Sequence, residues 1–233
     1  MEIFHSLEAV AQRGDVPGTG SQGRASVVTI GSFDGIHLAH QELLRRVRQL
    51  AAEQHAASVA ITFDPHPVQV LAPQRAPRLL TPDPVRQELF AESGIDRLLI
   101  LPFTLEFSRW TPEQFVSRVL VDALQAAAVV IGDNFRFGYQ QAGNPQVMEE
   151  LGRRCGFRTE ILRKMSLRNM TVSSSRIRSL LDEGRIVLAN RLLGHCFSIR
   201  GAIESGMGIG SKDRKSTRLN SSHIQKSRMP SSA

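Results

Sequence analysis

Between residues 26 and 162, short apolar runs alternate with segments of helical spacing. No other feature of the chain constrains its fold as much. Val27-Val28-Thr29-Ile30 is β-branched and continuous, whereas the following Leu43, Leu44, Val47, Leu50 and Ala51 recur at a helical period. The same reading predicts strands at 26–31, 58–63, 97–101, 127–131 and 158–162, with helices at 38–54, 83–93, 111–123 and 145–155. Strands that are apolar throughout, rather than at every second residue, belong in a parallel sheet covered on both faces. Strand–helix–strand alternation then implies an α/β sheet with right-handed crossovers.

Local signals agree with these boundaries. Thr111-Pro112-Glu113 reads as an N-cap followed by proline at the first helical position, Thr81-Pro82-Asp83-Pro84 and Asn144-Pro145 start two more helices, and Gly94 and Gly156 follow helices. Residues 1–25 combine a short amphipathic start (Ile3, Phe4, Leu7, Val10) with a connector rich in Gly, Ser and Pro. Beyond 175 come two shorter helical patterns, Ile177, Leu180, Leu181 and then Val187, Leu188, Leu192. Cys196-Phe197-Ser198-Ile199 reads as the first strand of something new, which runs out at the glycine-rich stretch 206–210.

The formal net charge of +7 points toward nucleic acid only until its distribution is considered. Lys212, Arg214, Lys215, Arg218, Lys226 and Arg228, against Asp213 alone, carry most of the excess, so the preceding residues are close to balance. Residues 212–233 have no hydrophobic period and resemble translated adapter or vector sequence. They are set aside as non-native, the alternative being a disordered basic tail. Two cysteines, Cys155 and Cys196, lack metal-type spacing and fit a reducing compartment. The first 25 residues hold no signal-type apolar region, and no stretch approaches the roughly 18 apolar residues of a membrane span. The expectation is a cytoplasmic protein that acts on small molecules, not on nucleic acid or membranes.

Chemistry concentrates first where the run 27–30 gives way to the helix. Residues 31–41 read Gly-Ser-Phe-Asp-Gly-Ile-His-Leu-Ala-His-Gln. His37 and His40, three apart, fall on one face of the first helical turn, where free N–H groups and the positive dipole end already favour anions. With Gly31 and Gly35 allowing close backbone approach, the junction suits a polyphosphate. The corresponding chemistry is nucleotidyl transfer, in which positioning and charge stabilisation do the work and no protein nucleophile is required. A histidine that only packs or caps a helix is the plain alternative.

This segment resembles the Gly-x-Phe-Asp-Gly-x-His-x-Gly-His-Gln signature of the bacterial FAD synthetases, which are bifunctional riboflavin kinase/FMN adenylyltransferases. They belong to the nucleotidyltransferase superfamily that carries the His-x-Gly-His motif. Ala39 stands where the family usually has glycine. Three later segments extend the resemblance in family order. Thr62-Phe63-Asp64-Pro65-His66-Pro67 is similar to a Phe-x-Pro-His-Pro segment near the flavin. Gly132-Asp133-Asn134-Phe135-Arg136-Phe137-Gly138 interleaves aromatics with polar groups, as suits an isoalloxazine ring and its phosphate. Val172-Ser173-Ser174-Ser175-Arg176-Ile177-Arg178 matches an Ile/Val-Ser-Ser-Thr-x-Ile-Arg signature, with Ser175 where threonine is common. Each alone also reads as ordinary structure: a rigid turn, an aromatic core cluster, a capped surface helix.

The resemblance implies a Rossmann-like parallel sheet with a short C-terminal helical extension, and adenylyl transfer from ATP to FMN, giving FAD and pyrophosphate with Mg²⁺. His37 and His40 would be catalytic. Gly31, Phe33, Asp34, Gly35, Ser174, Ser175 and Arg178 would bind ATP, and Phe63, His66, Asn134, Phe135, Arg136 and Phe137 would bind the flavin. Asn134 or a nearby carboxylate would touch the metal, often through water. The implied organisation is an adenylyltransferase domain over 1–190, a linker and truncated start of a riboflavin kinase barrel over 191–211, and the tail over 212–233. The barrel's Gly-Phe-Pro-Thr-Ala-Asn signature does not occur in the sequence, so the kinase activity is expected only of a full-length parent. A nucleotidyltransferase with another phosphate acceptor, and a flavin- or nucleotide-binding fragment without turnover, remain the alternatives.

Overall fold

The computed structural model describes residues 1–12 and 26–201. Met1–Ser198 forms one unit. Of the other, Ile199–Ala233, only 199–201 are described, and they have no regular structure.

A six-stranded parallel sheet organises the first unit. Its strands are β1 (Glu2–Phe4), β2 (Ser26–Ile30), β3 (Ala57–Asp64), β4 (Arg97–Pro102), β5 (Ala126–Gly132) and β6 (Arg158–Leu162). In space they run β1–β4–β3–β2–β5–β6. β2 is central, and Val28 pairs with Val59 on one side and Val129 on the other. From β2 the chain steps through β3 to β4, then returns to the opposite side of β2 for β5 and β6. The order therefore reverses between β2 and β5, and open α/β sheets take ligands in the crevice at the strands' carboxyl ends there.

Helices cover both faces. Strand residues of one parity (Val27, Ala128, Val130) pack on Val47, Leu50 and Ala51 of α2 (Leu38–Glu53), while Ala60, Leu98 and Ile100 meet Phe90 of α4 (Asp83–Ser93). The other parity (Val28, Ile30, Val129, Ile131) packs on Val10 of α1 (Leu7–Gln12), Phe115 of α5 (Pro112–Phe115) and Met148 of α6 (Pro145–Cys155). All five residues of β2 are buried, as its β-branched apolar run predicts, with Ser26 satisfied by donating to the Leu124 carbonyl. Thr111 caps α5 reciprocally with Gln114, after which the chain winds as a π-helix over Val116–Ala123. Gly94 and Gly156 end α4 and α6 in the left-handed region. Arg46 of α2 grips Glu160 of β6 with two hydrogen bonds of 2.5 and 2.8 Å, tying the helix after the histidine junction to the far strand.

The remaining helices are α3 (Pro67–Leu71), α7 (Ser174–Asp182) and α8 (Ile186–Leu193). Ile177, Leu180, Ala189, Leu192 and Leu193 form a separate small core against Leu38 and Leu80. The expected boundary at residue 190 therefore falls inside α8, whose last two leucines are fully buried.

The amphipathic start resolves into a strand and a helix, because Glu2, Ile3 and Phe4 find an edge beside Arg97, Leu98 and Leu99. Two local expectations are corrected. Cys196–Ile199 forms no strand: among the described residues no neighbouring strand pairs with it, and Ile199 is 87% exposed. A short hairpin, β7 (Ser166–Leu167) and β8 (Met170–Thr171), stands where no strand is expected; its turn places Arg168 and Asn169 at positive φ. The glycine-rich stretch 206–210 and residues 212–233 lie outside the described residues.

Candidate active site

The loops after β2, β3 and β5 and the start of α7 surround a cleft of about 570 Å³ at the sheet's switch point. His37 is the N-cap of α2 and is 4% exposed; its Nδ1 accepts the His40 backbone N–H at 3.4 Å. With Nδ1 accepting, Nε2 carries the proton of the neutral ring. The His37 and His40 rings stack with centroids 3.7 Å apart and 15° between planes, and His40 leans on Phe33 at 5.0 Å. His40 Nδ1 is buried without a hydrogen-bond partner in the protein, although His40 lines the cleft.

Burial sets the charge of this pair. Desolvation lowers His37 to about 4, and desolvation together with the neighbouring His37 pushes His40 well below its ordinary value. Both rings are therefore neutral at physiological pH in the ligand-free protein. His66, the N-cap of α3, is also lowered, mainly by burial, and its Nδ1 accepts from Val68 N at 3.2 Å.

Gly31, Phe33, His37, His40, Phe63, His66, Asn134, Phe135, Arg136, Ser174, Ser175 and Arg178 all line this one cleft, although the sequence distributes them from 31 to 178. Asp34, Gly35 and Phe137 lie elsewhere. Asp34 is 1% exposed: Oδ1 accepts from Leu80 N and Thr81 N at 2.8 and 3.1 Å, and Oδ2 pairs with Arg178 at 2.5 Å. Ser174 Oγ donates to the Asp34 carbonyl at 2.9 Å, so three residues expected on ATP hold one another. Ser173 caps α7 by accepting from Arg176 N. Gly35, at φ +88°, has the space beside its Cα filled by Leu80 and Leu193. Its lack of a side chain serves packing.

Phe137 is buried in the core and stacks on Phe135, with centroids 5.4 Å apart and 16° between planes. It lines a second, apolar cavity of about 410 Å³, whose wall also includes Phe103, Phe107, Trp110 and Tyr139. Ile30, Phe63, Pro67, Phe135 and Arg136 border both cavities. Three further groups were not evident from sequence. Arg163 and Lys164 line the cleft from the end of β6, and the buried Arg86 donates to the carbonyls of Ser32 and Phe63 while pairing with Asp83. Asp133, a carboxylate beside Asn134 in the 132–138 segment, also faces the cleft. Arg163 and Lys164 sit at the carboxyl end of a strand, the one signal that pointed to them. Ala39 lines the cleft within an intact α2.

Fold and site together define a nucleotidyltransferase-like Rossmann protein. The sequence model of the FAD synthetase family matches residues 20–176, and the chain belongs to that family. It is 35% identical over 185 residues to the bifunctional riboflavin kinase/FMN adenylyltransferase of Buchnera aphidicola subsp. Acyrthosiphon pisum, covering 79% of this chain and 59% of that protein. Against the protein of the same description from Escherichia coli (strain K12), identity is 31% over 184 residues, again covering 79% and 59%. The chain thus spans about 60% of the length of these relatives. A crystal structure described as a macrolide-efflux protein from Streptococcus pneumoniae shares the fold. Its TM-score is 0.71 and its identity 25%, covering 84% of this chain and 63% of that one. Among the described residues no helix is long and apolar enough to cross a membrane.

Proposed function

We propose that the chain transfers the adenylyl group of ATP to FMN, releasing pyrophosphate and forming FAD. One observation carries this reading: a cleft holding a stacked histidine pair at a helix N-terminus shares a wall with an aromatic cavity. The first suits a triphosphate and the second a flat, largely apolar ring system.

In this reading an oxygen of the FMN phosphate attacks the α-phosphorus of ATP. The bond from that phosphorus to the bridging oxygen breaks, and pyrophosphate leaves with the electron pair. The attacking phosphate is already ionised at neutral pH, so no general base is assigned. His37 donates from Nε2 to the triphosphate, and His40, stacked on it, lines the same cleft. Ser174, Ser175 and the α7 N-terminus face the phosphates, while Asp34 fixes Arg178 beside them. Phe63, His66, Phe135, Arg136 and Phe137 shape the flavin side. Mg²⁺ would neutralise phosphate charge. Asp133 and Asn134 supply the carboxylate and carboxamide oxygens of the cleft lining, and no cluster of three or more His, Cys, Asp or Glu side chains that could hold a metal exists among the described residues. So small a donor set fits an ion held chiefly by phosphates and water. A cytoplasmic setting accords with a chain that has only two cysteines, Cys155 and Cys196, without metal-type spacing.

The test is FAD formation from FMN and ATP by the wild type and by the His37→Ala, His40→Ala double variant. The expected result is turnover in the wild type and a loss of at least about 100-fold in the variant. Unchanged turnover in the variant removes the histidines from the mechanism. Turnover of another phosphate acceptor without FAD formation overturns the choice of FMN, and flavin binding without any turnover reduces the chain to a binding fragment.

A further inference from the structure

We propose that His195 is a positioning residue for the reaction assigned above, holding in place the loop that presents His37. The inference rests on the adenylyltransferase reading for its kinetic consequence but not for its geometry.

The loop after β2 has an unusual backbone. Phe33, Gly35 and Ile36 have φ of +47°, +88° and +36°, a region that L side chains rarely adopt. Such a conformation persists only when its surroundings over-determine it. On one side those surroundings are the contacts of Asp34 with Leu80, Thr81 and Arg178. On the other they come from the C-terminal end of α8, remote in sequence. His195 Nε2 lies 2.9 Å from the Gly35 carbonyl oxygen. His195 Nδ1 lies 3.2 Å from the Cys196 carbonyl oxygen; a neutral ring has one proton to donate, and we assign it to Nε2, which makes the shorter and less exposed of the two contacts. Gln41 reinforces the junction, its amide nitrogen donating to both Ile36 O at 2.9 Å and Leu193 O at 2.8 Å.

The two segments are moulded to each other. Gly194 is at φ +76°, and a Cβ there would sit 2.6 Å from Leu38 Cδ2 and 3.0 Å from Gln41 Nε2. A Cβ on Gly35 would sit 3.3 Å from Leu193 Cδ2. Of the two carbonyls immediately before His37, that of Gly35 is thus held directly by His195, and that of Ile36 by Gln41, whose amide also ties it to Leu193 of the same segment. His195 touches neither reacting group. It acts through the backbone, two residues from the imidazole it places, and positional errors near 1 Å at such sites are costly to catalysis.

The full chain and its His195→Ala, His195→Asn and His195→Gln variants separate these roles. A glutamine amide nitrogen reaches the place of Nε2, whereas asparagine is too short and falls near Nδ1. Two measurements are made on each protein: kcat and KM for FMN and ATP, and hydrogen exchange of the amides of residues 33–41. The expected result is a fall in kcat of about tenfold for the Ala and Asn variants, with KM for FMN nearly unchanged, and faster exchange in the loop. Glutamine should restore both. The proposal is overturned if the Ala and Asn variants keep kcat within about twofold of the wild type, or if glutamine is as impaired as alanine. Absence of FAD formation by the wild type refutes the functional reading alone. The exchange data then decide: faster exchange reversed by glutamine supports the positioning role, and unchanged exchange refutes it.

Discussion

In the proposed reaction, His37 meets a polyanion from a neutral state. Burial holds its imidazole near 4, so at neutral pH the ring offers an N–H dipole and not a full charge. A bound triphosphate reverses the balance, because nearby negative charge favours the protonated ring. ATP binding near pH 6 is therefore expected to draw a proton onto the protein, and the His37→Asn variant should take up less. Titration calorimetry in two buffers of different ionisation enthalpy measures this. Equal uptake by the two proteins would mean that His37 stays neutral and acts only as a hydrogen-bond donor. The neighbouring Ala39 bears on affinity in a different way. Its methyl group lines the cleft without disturbing α2. Ala39→Gly is expected to lower the KM for ATP, at a helix-stability cost of roughly 0.5–1 kcal/mol. An unchanged KM would show that the nucleotide does not reach this wall.

At the scale of elements, the site depends on how the loop after β2 is packed between α8 and the segment before α4. A Cβ on Gly35 would lie 2.8 Å from Leu80 Cδ1, and the residue's φ of +88° adds strain for any side chain. Gly35→Ala is expected to destabilise the fold by roughly 1–3 kcal/mol through overpacking, as read by urea unfolding. If Gly35 were there only to admit a phosphate, that variant would lose ATP affinity and keep its stability. Arg86 performs a similar service from α4. Its side chain is 5% exposed and supplies donors to the ends of β2 and β3 at Ser32 and Phe63. Arg86→Met leaves those carbonyls without that donor and is expected to cost roughly 1–3 kcal/mol in the same measurement. The central strands and their helices were legible in sequence because burial on both faces requires unbroken apolar runs such as Val27–Ile30. β1 was not, because three residues at a sheet edge carry no period. The β7–β8 hairpin was hidden because its turn uses Arg168 and Asn169 where Asn-Gly would have announced it. Site residues were legible where they sit in local motifs. Arg86, Arg163, Lys164 and His195 owe their places to tertiary packing, which no local pattern encodes.

For the molecule as a whole, the buried histidines couple the site to global stability. His37, His40 and His66 all lie below the ordinary histidine value of 6.5 in the folded protein, His37 at about 4, with burial the leading cause in each. Unfolding returns them to water, where they bind protons near 6.5. Below that pH the unfolded chain holds more protons than the native state, so stability falls as the medium is acidified. Within the His37 contribution, the loss begins near 6.5 and is complete near 4, amounting to about 3 kcal/mol. Glu160, lowered chiefly by its hydrogen bonds from Arg46, contributes in the same direction but only below its ordinary 4.5. The histidines therefore dominate the interval between 6.5 and 4.5. Urea unfolding at pH 7 and near pH 5 should show a less stable protein at the lower pH, by about 2 kcal/mol from His37 alone. The His37→Asn, His40→Asn double variant should show a flatter dependence over the same interval. If the wild type and the double variant lose stability equally on acidification, the pair is not buried and neutral in the folded protein. The electrostatic design inferred for the cleft would then be wrong.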